Sequence, residues 1–183
     1  MAPLRKAFGE HFDKIEFVEA NLLDADSLAQ AIAGATYVVH TASPVAFDKP
    51  DDEIIKPAVD GTMAVMKACV ASGIKRCVIT SSAAAVCAMA EADRPDPDTG
   101  FYDESCWSNP DRPEGMGAYL KSKTLAERAA WDFLQSLSED QRFELVTICP
   151  TLVLGPSLLP GGFLSGNFVA NYLVVPKTEI AVG

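Results

Sequence analysis

Apolar residues recur along this chain in two alternating rhythms. Short runs rich in β-branched residues are followed by longer segments whose apolar positions return every three or four residues. This alternation predicts βαβ units around a parallel sheet. A strand covered on both faces reads as a near-continuous apolar run, and each crossover helix buries one stripe. Residues 14–18 predict a first strand. Asp24 and Ser27 offer capping groups ahead of Leu28, Ala31 and Ile32, the apolar face of a short helix that Gly34 can end. Residues 36–42 predict the next strand, broken by Ser43 and Pro44. Residues 51–72 carry Ile55, Val59, Met63, Met66 and Val70 at helical spacing, which predicts a buried crossover helix closing at Ser72-Gly73. Residues 77–80 then read as a strand covered on both faces, delivering Ser81 and Ser82 at its carboxyl end.

Residues 88–116 are rich in Asp, Pro and Gly with little periodicity, so they predict a long loop, and long ordered loops in compact domains usually carry function. A helix over 119–137 follows, then a strand over 143–148. Beyond Pro150 and Thr151 comes a segment rich in Gly, Pro and Leu that ends in a weak helix near 167–172. No internal repeat is visible.

Composition narrows the classes. With 183 residues, 49% hydrophobic and 22% charged, the chain can bury one core, and its composition is not that of a linker or tail. Its formal net charge of -10 repels phosphate backbones and anionic lipid, so nucleic acid and membrane surfaces are not expected partners. The five cysteines are odd in number and lack C-x-x-C spacing. They are expected to be reduced and mostly structural, with no metal site among them. There is no apolar stretch of signal-peptide length at the start and no run of the ~20 apolar residues that a bilayer requires, so a cytoplasmic protein is expected.

The candidate chemistry sits at Tyr119 and Lys123, four residues apart and therefore on one helical face. Ser82, presented from a strand end, can meet them. When a hydride reaches a carbonyl carbon, the oxygen gains negative charge and needs a proton donor and hydrogen bonds aimed at it. A phenol normally titrates near ~10, and a neighbouring ammonium favours its ionised form. A hydroxyl such as that of Ser82 can orient the carbonyl. A Tyr and a Lys at this spacing are by themselves most often surface residues. Their context, after serines ending a strand in a parallel-sheet pattern, is what points to a site, because open α/β sheets hold ligands outside their carboxyl edge.

The chain resembles the extended short-chain dehydrogenase/reductases, within them the group of dihydroflavonol, anthocyanidin and cinnamoyl-CoA reductases. The likeness is carried by Val39-His40-Thr41-Ala42-Ser43-Pro44, Arg76-Cys77-Val78-Ile79-Thr80-Ser81-Ser82, Tyr102-Asp103-Glu104-Ser105-Cys106-Trp107-Ser108, Tyr119 through Trp131, and Ile148-Cys149-Pro150-Thr151-Leu152-Val153-Leu154-Gly155-Pro156. These segments occur in the family's order and cover most of the chain. The resemblance implies catalytic Ser82, Tyr119 and Lys123, with NADP, or NAD in its place, as cofactor. Matched to the family's motifs, Pro150, Thr151 and Leu152 flank the nicotinamide, Thr41, Ala42 and Ser43 lie along the cofactor, Thr80 and Ser81 stand beside the ribose, Asn21 and Leu22 lie near the adenine, and Ser165 reaches in from a later loop. Asn21 stands where the family often has Asp. Cys87 falls at a position that touches substrate in relatives, where a polar or aromatic residue is usual.

The sequence contains no G-x-G-x-x-G or G-x-x-G-x-x-G turn, which would hold a pyrophosphate at a helix N-terminus. Residues 5–11 resemble the tail of the family's second helix. The resemblance therefore implies an incomplete Rossmann-like, doubly wound parallel sheet lacking its first βαβ unit. Residues 1–155 would form a partial NAD(P)-binding domain and residues 156–183 the start of a small substrate-binding subdomain. The expected function is a reductase of the dihydroflavonol-reductase type acting on a small ketone or aldehyde, with the activity of the truncated chain in doubt. Two alternatives stand beside it: a non-catalytic remnant that pairs its exposed sheet edges with another chain, and a nucleotide-sugar epimerase or hydroxysteroid dehydrogenase using the same Ser/Tyr/Lys logic.

Overall fold

A computed structural model of the chain describes residues 2–44, 50–89, 94–96, 98, 100–111 and 117–155. Its elements are α1 (Ala2–Phe8), α2 (Ala25–Ile32), β1 (Tyr37–His40), α3 (Asp51–Ala71), β2 (Arg76–Thr80), α4 (Ala118–Ser136) and β3 (Glu144–Ile148). Short 3-10 turns occupy Gly9–Lys14, Ala83–Ala85 and Glu139–Gln141. The chain divides into two compact units, Met1–Phe17 with Leu152–Gly183, and Val18–Thr151. In the first, the Arg5 guanidinium lies 4.2 Å from the centre of the Phe12 ring and 3.1 Å from Asp13.

The second unit is a three-stranded parallel sheet in the order β1-β2-β3, as the run of βαβ patterns predicts. Helix α2 starts where Asp24 accepts hydrogen bonds from the N–H groups of Asp26 and Ser27. It ends as Gly34 takes a positive φ of 77°. Helix α3 ends the same way at Gly73, with the Ile74 N–H reaching back to the Cys69 carbonyl at 3.2 Å. Residues 14–18 do not form the expected strand: Lys14 closes a 3-10 turn, and among the described residues no neighbouring strand pairs with the residues after it. An apolar alternating run becomes a strand only where another strand takes up its backbone hydrogen bonds.

Side-chain parity divides the sheet into two faces. Val38, Cys77, Ile79 and Leu145 join Met66, Cys69 and Val65 of α3 and Ala130 of α4 in one core. On the opposite parity, Tyr37 (63%), Val39 (67%), Val146 (41%) and Ile148 (53%) are exposed, with Val39, Val78 and Val146 side by side across the three strands. All five cysteines are free thiols, with Cys69, Cys77 and Cys106 buried. Among the described residues no helix is long and apolar enough to cross a membrane, and no cluster of His, Cys, Asp or Glu could hold a metal ion. The weak helix expected near 167–172 and the subdomain expected over 156–183 lie outside the described residues.

Candidate active site

The carboxyl end of β2 leads directly into the serines. Beyond Thr80 the chain stays tied to the continuation of β3, with the Ser81 N–H donating to the Ile148 carbonyl at 2.8 Å and the Ala83 N–H to that of Pro150 at 3.0 Å. Ser82 is buried and extended, and its Oγ accepts from the Ala84 N–H at 3.2 Å, capping the 3-10 turn over Ala83–Ala85. Accepting there leaves the hydroxyl proton available to a substrate oxygen.

The segment from Asp103 to Ser108 holds this turn from behind. Asp103 Oδ1 accepts from both the N–H (2.9 Å) and the hydroxyl (2.6 Å) of Ser105, and these bonds hold its carboxyl below the usual carboxylate range. Ser108 has no exposed surface. Its Oγ donates to the Ala84 carbonyl at 2.7 Å and accepts from the Ala88 N–H at 2.8 Å. From α4, Thr124 reaches the same Ala84 carbonyl at 3.5 Å. Arg128 donates to the Ser108 carbonyl at 3.2 Å and lies 5.2 Å from the centre of the Trp107 ring. The loop and helix are thus bolted to the turn that carries Ser82. Ser108→Ala strands a buried N–H at Ala88, and the expected cost is about 1–3 kcal/mol, read from a urea titration. A loss of only a few tenths would show that the bolt does not matter.

Helix α4 opens at Ala118 and places half-buried Tyr119 in its first turn. One turn on, Lys123 is only 8% exposed, with Nζ 5.9 Å from the centre of the Tyr119 ring. Burial pushes the Lys123 ammonium below its ordinary pKa, since the charged form loses hydration.

Two adjoining cavities gather half of the remaining candidates. Ala42, Ser43, Thr80 and Ser81 line one together with Lys123. Leu22, Thr41 and Ala42 line the other, of about 240 Å³, with Leu28 and Val65. His40 and Ala42 belong to both. Leu22 fits closely under α3, where a β-carbon placed on Gly61 would lie 3.3 Å from its own. Asn21 is exposed, and its Oδ1 accepts from the Leu23 N–H at 2.9 Å, shaping the turn into α2. Pro150 is half-buried beside the serines through its carbonyl, and Thr151 is exposed. Cys87 is exposed, its N–H bound to the Ala83 carbonyl at 2.9 Å. Leu152, also exposed, falls in the other compact unit, and Ser165 lies outside the described residues. Two larger cavities of about 730 Å³ each contain none of the candidate residues, so the chemistry follows the side chains rather than the volume.

Three residues at or behind this site escaped the sequence reading: His40, Ser108 and Glu127, all buried. His40 carried a usable signal, a polar residue on the buried parity of a β-branched strand. Ser108 and Glu127 carried none, because their partners are remote in sequence: Ser108 meets Ala84 and Ala88, and Glu127 accepts from the Cys149 thiol at 3.6 Å.

The chain is similar to known reductases. The anthocyanidin reductase of Vitis vinifera is 41% identical over 153 residues, covering 79% of this chain and 42% of the relative. The dihydroflavonol 4-reductase of Medicago sativa is 37% identical over 153 residues, covering 80% of this chain and 66% of the relative. Among solved structures, the yeast methylglyoxal/isovaleraldehyde reductase complexed with NADPH superposes with a TM-score of 0.67 at 31% identity, over 86% of this chain and 49% of that one. The chain spans about half the length of most of the curated relatives it matches. Residues 4–159 match the 3-beta hydroxysteroid dehydrogenase/isomerase family, so this partial Rossmann-type domain, with reductases as its relatives, belongs to that family.

Proposed function

We propose that this chain carries the catalytic side of an NADPH-dependent carbonyl reductase of the dihydroflavonol-reductase type. The observation that carries the reading is the buried Lys123 ammonium beside the Tyr119 ring, at a cavity shared with Ala42, Ser43, Thr80 and Ser81. The residues present fit part of such a cofactor. An apolar cavity lined by Leu22 and Leu28 suits a flat base, and the Lys123 ammonium can donate to a ribose hydroxyl. No glycine-rich turn within these 183 residues would hold the pyrophosphate.

When bound, the nicotinamide supplies the hydride that reaches the carbonyl carbon. Ser82 donates a hydrogen bond to the carbonyl oxygen, and Tyr119 delivers the proton that the oxygen takes up as it becomes an alkoxide. Lys123 places positive charge beside the phenol and offers N–H donors to the ribose. Thr41 and Pro150 complete the cofactor wall, and Cys87, with its exposed thiol, faces the substrate. Residues 156–183 are assigned to the opening of a substrate-binding subdomain.

A second reading is favoured by the exposed apolar sheet face of Tyr37, Val39, Val146 and Ile148. In it the chain catalyses nothing and pairs with another chain. A single titration separates the two. Saturable quenching of protein fluorescence by NADPH, with oxidation of NADPH on addition of a dihydroflavonol or a small aldehyde, is expected of the reductase. No saturation up to millimolar NADPH would overturn it in favour of the interacting fragment. Turnover of a hydroxysteroid alone would move the substrate class to the one named by the family.

A further inference from the structure

Lys123 has a buried charge and, among the described residues, no carboxylate within ion-pairing distance. An ammonium in that position needs hydrogen-bonding partners, because desolvation without compensation costs several kcal/mol. The partners available to it converge from three other elements on one small cavity: His40 at the end of β1, Thr62 on α3 and Ser81 after β2. These three side chains are 7%, 6% and 5% exposed. The Ser81 Oγ is buried with no hydrogen-bond partner among the described residues. It lies near the Cys149 thiol, whose pKa burial and then the Glu127 carboxylate push up, but without normal hydrogen-bond geometry. The cavity measures about 10 Å³, room for one water, and its polar lining can supply the two to four partners that a buried water requires.

We propose that His40 and Ser81 are positioning residues for Lys123: with Thr62 they hold a single water against its Nζ, so that the ammonium stays charged and fixed. In this arrangement His40 is neutral and accepts through one ring nitrogen. Its surroundings favour that form, since burial and then the Lys123 charge both lower its pKa. Glu127, one turn beyond Lys123, is the other titratable group lining the cavity, and its carboxylate accepts from the Trp131 N–H at 3.3 Å and the Cys149 thiol at 3.6 Å. Lys123 is therefore held from the β1, β2 and α3 side. The importance of this for catalysis rests on the reductase reading above, but the water site does not.

The test uses the chain itself. With lysine labelled at Cε, the Lys123 pKa is read by NMR in the parent, in His40→Leu, in His40→Gln and in Ser81→Ala. Removing the imidazole is expected to lower the Lys123 pKa by about one unit, the effect of losing a hydrogen bond to a charged group, while Gln restores most of it. Ser81→Ala, which deletes one oxygen, is expected to lower it in the same direction and covers the case in which His40→Leu does not fold. The reciprocal measurement is direct, because the chain has only two histidines and their resonances are readily told apart. Lys123→Met is expected to raise the imidazole pKa of His40. A Lys123 pKa unmoved in both His40→Leu and Ser81→Ala, or a His40 pKa unmoved by Lys123→Met, overturns the proposal. Shifts as expected in a chain that neither binds NADPH nor reduces a carbonyl would uphold the water site and retire the reductase reading instead.

Discussion

Tyr119→Phe is expected to lower carbonyl reduction by about 10²–10⁴-fold, the range that a positioned proton donor contributes. The substitution removes one oxygen from a half-buried residue in the first turn of α4 and leaves the ring, whose centre lies 5.9 Å from Lys123 Nζ. The far-UV spectrum and NADPH affinity should therefore stay close to those of the parent, and the loss should fall on turnover. In the language of mutant kinetics, an interaction made mainly in the transition state has been deleted. Lys123→Met differs in a way that separates the two roles. It should reduce turnover and also weaken NADPH binding, since the ammonium would serve both the phenol and the ribose. Reduction within about threefold of the parent for Tyr119→Phe would remove Tyr119 from the mechanism, because no general-acid contribution is that small.

The second large effect is on stability. Met66 has no exposed surface and stands in α3 at the centre of the core formed with Cys69, Cys77, Ile79 and Ala130. Met66→Ala deletes three heavy atoms where helix α3 meets the sheet, and the expected loss is about 2–5 kcal/mol from lost transfer energy plus the cavity left behind. The urea midpoint should fall with an unchanged slope if the variant unfolds from the same native structure. Its functional reach is indirect. Helix α3 also supplies Thr62 and packs against Leu22 through Gly61, so a core that relaxes here loosens both cavities near the candidate site. A loss below about 1 kcal/mol would mean that the site collapses freely around the shorter side chain, or that the core is less tightly packed than its burial implies.

Both expectations use residues whose burial or spacing could be read early, and the distinction between what was legible and what was not is physical. Helix α3, strands β1, β2 and β3 and helix α4 announced themselves, because a buried stripe or a buried run leaves a period in the sequence wherever one element meets a shared core. Tyr119 and Lys123 were legible for the same reason, since four residues along a helix return to the same face. Residues 14–18 misled. Their apolar run satisfies the local criterion for a strand, yet a strand exists only through hydrogen bonds to a neighbour, and no ladder forms there. The supporting parts of the candidate site left almost no local trace. Ser108 matters because the fold brings it to carbonyl and N–H groups 24 and 20 residues away, and His40 because β1 ends against a lysine 83 positions later in the chain. Periodic patterns record what each segment buries, so they carry architecture and the pairing of near neighbours. The cavity that His40, Thr62, Ser81 and Lys123 line came into view only with folding, because contacts between groups remote in sequence impose no period on the chain that makes them.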